Sequence, residues 1–356
     1  MRELTYAQAI HEGLHQAMEA DPRVIVVGEG VPDPKAIFGT TAGLRERFGP
    51  RRVFDMPLSE NGMTGICIGA ALSGMRPVMV HQRIDFGLLA MDQLVNNAAK
   101  WHYMFDGLAN VPMVVRLIIG RGWGPGPQHS QSLQALFAHI PGFKVVMPAT
   151  AYDAKGMMIS AVEDNNPVIF IEHRWLHNIK DAVPSDSYRE GLDRARVLHE
   201  GDRVTVAAFS YMVMEAMQVA RALAPHGIRI EVIDMRSARP LDVDAVAQSV
   251  RKTGHLLVLD TAWTSGSVAG ELITQVVGKE FPAFRKAPVR IASPDYPVPT
   301  SHHMAAGYYP DGVRIYEAIA ELTGLALSPA THESVLASVR HPGPHDVPDS
   351  KFTGPF

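Results

Sequence analysis

Residues 111–131 read VPMVVRLIIGRGWGPGPQHSQ. An apolar run without polar alternation (111–119) leads straight into a loop rich in glycine and proline (120–131). A short apolar run of this kind suits a strand covered on both faces, as in a parallel sheet, whereas a half-exposed strand alternates. The same pattern recurs on either side of it, in VIVVGE (24–29), PVMV (77–80), FKVVMPA (143–149) and PVIFIE (167–172). Between these runs the spacing is helical. Ala7, Ile10, Leu14 and Ala17 fall on one face, a small-residue helix follows Glu60, a long helix is predicted from about Phe86 to Met104, and another over 151–162. Strands and helices in alternation predict a mainly parallel sheet with helices on both sides.

From 179 to 201 the chain is polar and aperiodic, which predicts a linker. The alternation then restarts with VTVAAF (204–209), a helix over 212–224, RIEVIDM (229–235), HLLVLD (255–260) and VRIAS (289–293), and a last helix lies near 312–322. The expected fold class is α/β, with two doubly wound α/β domains over 1–180 and 202–325 joined by a linker at 181–201. Residues 326–356, rich in proline and glycine towards their end, are expected to form an extended tail.

At 356 residues the chain exceeds one ordinary core, in keeping with two domains. Its 33 basic and 37 acidic residues leave a net charge of −4 with no long basic run, so neither nucleic acid nor an anionic membrane is an expected partner. A single cysteine, Cys67, excludes an intrachain disulfide and a multi-cysteine zinc site. No apolar run approaches the roughly 20 residues that span a bilayer, and MRELTYAQAIHEG carries no apolar signal core, so a cytoplasmic location is expected.

The loops GEGVPDP (28–34) and GRGWGPGP (120–127) follow strands but match neither GxGxxG nor a Walker A sequence, and both are readable as sharp turns. Ser130 and His129 are adjacent, no GxSxG elbow occurs, and Cys67 sits in an apolar helix as a small core residue. The pairs His302–His303 and His341–His345 have no HExxH or Cys/His cluster beside them. A different constellation remains. PLSENG (57–62), the segment 84–100 and PQHSQ (127–131) each follow a predicted strand, so a parallel sheet brings them to one edge. Glu60 there stands at the mouth of an apolar helix, where Ser59 as N-cap and the helix dipole account for it locally. A carboxylate, an aromatic ring and a histidine on one edge also suit a heteroaromatic cofactor that needs proton transfer.

Taken in order, SE-G, GAALSGMRPV, DF-L-AMDQLVNNAAK, QHSQ, KVVMP, DAKG and EDNNPVIFIE closely resemble the β subunit of thiamine-diphosphate-dependent 2-oxo-acid dehydrogenases. RSARPLDVDAV, KTGHLLVLD, GSVAGEL and PDYPVP extend the resemblance through a transketolase-type C-terminal domain, to about residue 325. The resemblance implies a thiamine-diphosphate pyrimidine-binding domain in the first half. It places Glu60 against N1′ of the aminopyrimidine, where a carboxylate favours the imino tautomer that takes the proton from the thiazolium C2. It sets Leu58 and Phe86 against the cofactor and His129 near the reacting centre. It also implies a potassium site at Met113, Ala161, Val162, Asp164 and Asn166, although EDNNP is equally a good helix-ending turn.

The family's magnesium-binding GDG is absent. The resemblance therefore implies an α-type partner that holds Mg2+ and the diphosphate, in an α2β2 heterotetramer, with a lipoyl carrier protein as acyl acceptor. HQRID (81–85), the Arg121–Trp123 loop and HRWLH (173–177) depart from the family pattern. These departures keep open an alternative in which a two-carbon unit passes to another acceptor such as a sugar.

Overall fold

The computed structural model describes residues 1–33, 35, 37–120 and 125–341. The chain divides into two compact units, Met1–Gly120 with Leu136–Leu192, and Arg121–Ala135 with Asp193–Phe356.

The first unit contains β1 (Arg2–Thr5), β2 (Val24–Val27), β3 (Val53–Phe54), β4 (Arg76–His81), β5 (Val114–Ile119), β6 (Lys144–Val146), β7 (Val168–His173) and β8 (Lys180–Val183). Its central sheet runs β6-β7-β5-β4-β2-β3 with every pairing parallel. All residues of β2, β5 and β7 are buried, as the unalternating apolar runs predict. The helix Tyr6–Ala20 opens with a capping box between Thr5 and Gln8 and packs its apolar face on the helix Ala151–Glu163.

A reversal in the strand order lies beside β2. From β2 the chain adds β3 on one side, then crosses back to place β4 on the other. Open α/β sheets bind ligands in the crevice outside such a switch point, because the two loops there diverge. Gly28, the residue after β2, makes the close approach feasible: a Cβ on it would lie 2.3 Å from the carbonyl oxygen of Val80 in β4.

One charged pair lies inside this sheet. Arg116 on β5 and Glu172 on β7 are both fully buried, with Arg116 Nε donating to Glu172 Oε1 at 2.6 Å. Arg116 Nη2 donates to Thr40 Oγ1 at 2.8 Å, and His177 Nε2 lies 3.4 Å from Glu172 Oε2. Burial alone pushes the Glu172 carboxyl up, but Arg116 and His177 together outweigh it and hold it below the ordinary glutamate range.

The second unit contains β9 (Arg196–His199), β10 (Thr205–Ala208), β11 (Glu231–Asp234), β12 (Ser237–Arg239), β13 (Leu256–Trp263) and β14 (Val289–Ser293). Its sheet runs β14-β13-β10-β11-β9, parallel except for the antiparallel edge strand β9. Among the described residues no helix is long and apolar enough to cross a membrane.

Three local expectations need correction. The segment read as a linker carries β8, which pairs antiparallel with β1, and β9, which edges the second sheet. Both are partly exposed edge strands, so no buried periodicity marked them. The long helix expected over 86–104 is broken into Ile84–Gly87, Leu88–Ala90, a widened π turn over Gln93–Ala98 and Trp101–Met104. The N–H of Ala99 reaches back five residues to Leu94, and Asn96–Asp92 and Asn97–Gln93 side-chain bonds brace the turn. The expected tail contains a helix, Pro329–Val339, capped by Ser328 and anchored by buried Val335 and Val339. Residues 342–356 lie outside the described residues.

Candidate active site

The carboxyl ends of β2, β3 and β4 gather three acidic side chains. Glu29 follows β2, Asp55 follows β3, and Glu60 begins the helix Glu60–Leu72. Glu60 is only 7% exposed. Asp55 Oδ1 accepts the N–H groups of Gly30 at 3.0 Å and Met56 at 2.9 Å, which ties the two loops together. Gln82, after β4, donates through Nε2 to the carbonyl oxygen of Glu29 at 3.2 Å. Burial, then the negative charges of Glu60 and Asp55, push the Glu29 carboxyl above the ordinary glutamate range. Glu29 Oε1 is buried without a hydrogen-bond partner among the described residues. This edge therefore places a carboxyl of raised pKa near the buried Glu60, acceptors suited to a ligand with ring N–H donors.

Ser59 holds the N-cap position, but its side chain makes no capping bond. Its backbone does the work instead: its N–H donates to Pro57 at 2.7 Å, and its carbonyl accepts the N–H of Met63 at 2.9 Å. With its φ of −157° and ψ of 71°, the residue sends the chain sharply into the helix and leaves Glu60 at the sheet edge. Thr64 Oγ1 donates to the Glu60 carbonyl at 2.7 Å and steadies the first turn.

Phe86 is half-buried in the short helix after β4, in the same unit as Glu60. Leu58 is 82% exposed, leaving its side chain open to a ligand or partner. His129 is exposed in a loop that groups with the second unit. Arg121 and Trp123 lie outside the described residues, as does His345. Cys67 is buried, and burial pushes its thiol up to about 12, which suits core packing and disfavours a nucleophilic role.

The residues expected to bind potassium surround the turn after the helix Ala151–Glu163. Met113 O accepts from Val168 N at 3.0 Å, and Ala161 O from Asp164 N at 3.3 Å. Arg76 Nη1 bonds the carbonyl oxygens of Val162 at 3.0 Å and Asp164 at 2.9 Å, while Asn166 N donates to Asp164 Oδ1 at 2.8 Å. Lys144 pairs with the other Asp164 oxygen. Each carbonyl retains a second lone pair, so the donor set fits a large monovalent ion, in competition with the positive charge of Arg76 and Lys144. Among the described residues, no cluster of three His, Cys, Asp or Glu side chains is placed to hold a metal ion.

Glu29 is the residue that sequence reading passed over. Its loop was legible only as a turn, because the carboxylates it joins lie on other loops.

Residues 2–179 match the family model described as transketolase, pyrimidine binding domain, and residues 193–315 match transketolase, C-terminal domain. The chain is 40% identical to the acetoin:2,6-dichlorophenolindophenol oxidoreductase subunit beta of Cupriavidus necator, over 88% of this chain and 96% of that one. It is also 40% identical to the pyruvate dehydrogenase E1 component subunit beta of Rickettsia bellii, over 83% and 91% respectively. Among solved structures, a split gene transketolase described as an inactive beta4 tetramer superposes with a TM-score of 0.73. That match covers 90% of this chain and 99% of the other at 21% identity, a likeness of fold. The chain belongs to the transketolase pyrimidine-binding family and, within it, to the β subunits of thiamine-diphosphate-dependent 2-oxo-acid dehydrogenases.

Proposed function

We propose that this chain is the β subunit of an enzyme that decarboxylates a 2-oxo acid and passes the acyl group to lipoamide, with thiamine diphosphate as cofactor. The observation that carries this reading is the carboxyl cluster of Glu29, Asp55 and Glu60 at the switch point of the first sheet. When bound, thiamine diphosphate supplies a carbon nucleophile and a sink for the electrons left by departing CO2. The residues here fit its pyrimidine: Glu60 would hold a proton at the ring nitrogen N1′, and Phe86 and Leu58 would cover the ring. His129 would orient or protonate the reacting group from its loop.

The sequence has no GDG segment, so Mg2+ and the diphosphate fall to an α-type partner in this reading. Exposed Tyr103, Met104 and Leu108, close together in the chain, suit burial against another subunit. A potassium ion would sit on the carbonyls of Met113, Ala161 and Val162 with Asp164 and Asn166.

The test is co-expression with an α-type subunit, followed by thiamine-diphosphate titration and 2-oxo-acid decarboxylation with an artificial electron acceptor. Turnover should appear only in the assembled pair, and lipoyl domains should become acylated. Unchanged turnover in Glu60→Gln would refute the proton role, and absent acylation would refute the acceptor.

A further inference from the structure

Two arginines in the first unit are buried at the same sheet edge. Arg83, after β4, is 3% exposed, and Arg174, after β7, is 8% exposed. Their guanidinium carbons lie 5.8 Å and 4.5 Å from the centroid of the Phe38 ring. Phe38 and its neighbour Ile37 are held at φ of 58° and 43°, the left-handed region that non-glycine residues rarely adopt. Strain of this kind persists where the surroundings over-determine a conformation, and it concentrates at ligand sites.

Arg83 is only half satisfied. Its Nη1 donates to the carbonyl oxygen of Gly120 at 2.9 Å, but Nη2 has no hydrogen-bond partner among the described residues. Burial, then repulsion from Arg174, push Arg83 down to about 10 although Asp85 pulls the other way. Burial likewise lowers Arg174 to about 10. Desolvated guanidinium groups are ordinarily paired, since an uncompensated buried charge is strongly unfavourable. A vacant donor on Arg83 beside a second buried guanidinium suits an incoming oxyanion, and the planar guanidinium fork matches carboxylate and phosphate geometry.

The chemistry narrows which oxyanion. The carboxylate lost as CO2 gives up its charge during reaction, so two desolvated arginines on it would favour the ground state over the transition state. The pair suits a group that keeps its charge throughout. We propose that Arg83 and Arg174, set around Phe38, form a subsite for an oxyanion on a substrate that survives the reaction. That oxyanion is a second carboxylate on the 2-oxo acid. The assignment of a reaction to the site rests on the function proposed above; the anion site itself does not.

The experiment uses the assembled complex and reads binding separately from turnover. Glutarate and inorganic phosphate are titrated against thermal unfolding of wild type, Arg83→Met, Arg83→Lys and Arg174→Met. In parallel, the kcat/KM ratio of 2-oxoglutarate to pyruvate is measured for each. Glutarate should protect the wild type in a salt-sensitive manner, and more than inorganic phosphate does. Arg83→Met and Arg174→Met should weaken that protection at least 10-fold, and Arg83→Lys should restore part of it. The 2-oxoglutarate preference should fall by a similar factor in the methionine variants. The proposal is overturned if glutarate does not protect, or if both methionine variants bind as wild type. It is also overturned if only the unassembled chain binds, because an acidic group of the partner then fills the site. Loss of decarboxylation with anion protection intact would count against the reaction and leave the subsite standing.

Discussion

Arg116 and Glu172 meet at 2.6 Å inside the first sheet, and neither side chain is exposed to solvent. Arg116→Met would leave Glu172 buried without its main counter-charge. Breaking a buried pair from one side is expected to remove about 3–5 kcal/mol of stability. Urea unfolding should show it as a lower midpoint, and Arg116→Met combined with Glu172→Leu should recover most of the loss. An unchanged midpoint in the single variant would show that the pair contributes nothing.

The Glu29 carboxyl is pushed up by burial and by its acidic neighbours, so turnover of the assembled enzyme should carry an acid-side limb above the ordinary glutamate range. Glu29→Gln should flatten that limb, while Glu60→Gln should lower turnover by roughly 10²-fold or more at every pH. A pH–rate profile settles both, and an acid limb that persists in Glu29→Gln removes Glu29 from the site.

Acid should destabilise the fold before ordinary carboxylates titrate. Burial lowers His81 from 6.5 to about 4, and burial with His177 and Arg83 lowers His173 from 6.5 to about 3. The unfolded chain therefore binds protons more readily, and stability is lost as pH falls below 6.5, until the folded values are reached. Each residue adds a slope of up to about 1.4 kcal/mol per pH unit. Glu215 and Asp260, raised by burial, act with the opposite sign, in the range just above ordinary carboxylate values. Chemical denaturation between pH 7 and 5 should show declining stability, less steep in His81→Gln. A flat profile would contradict it.

Gly28→Ala would drive a methyl group into the carbonyl oxygen of Val80. Separation of the two backbones at the switch point should cost about 1–3 kcal/mol, read as a lower Tm. A Tm equal to wild type would show that the crevice opens without strain.

Caps at two helix starts should behave differently. Thr5 makes a full capping box with Gln8, so Thr5→Ala is expected to cost about 1 kcal/mol. The Ser59 side chain makes no capping bond, so Ser59→Ala should shift the unfolding midpoint by less than about half of that. Equal losses in the two variants would show that Ser59 caps through its side chain in solution.

Much of this molecule is readable along the chain because its strongest signals are local. A strand buried on both faces must be apolar at every position, so 24–27, 78–80, 114–119 and 168–171 announced themselves, and the helix following Glu60 did so through its small residues. Where a charge interrupts such a run, its partner is remote: Arg116 and Glu172 are 56 residues apart, and no local pattern links them. The same holds at the candidate site. Glu60 could be singled out at the mouth of its helix, but Glu29 joins it only because β3 pairs with β2 and sets the two following loops side by side. Arg83 and Arg174 lie in segments that sequence marks as unusual, yet their shared burial around Phe38 follows from three loops meeting at one sheet edge. Hydrophobic periodicity is a property of neighbouring residues and survives in a linear reading. Desolvation, charge pairing and the meeting of loops depend on distances through space, so they arise only when the sheet is assembled.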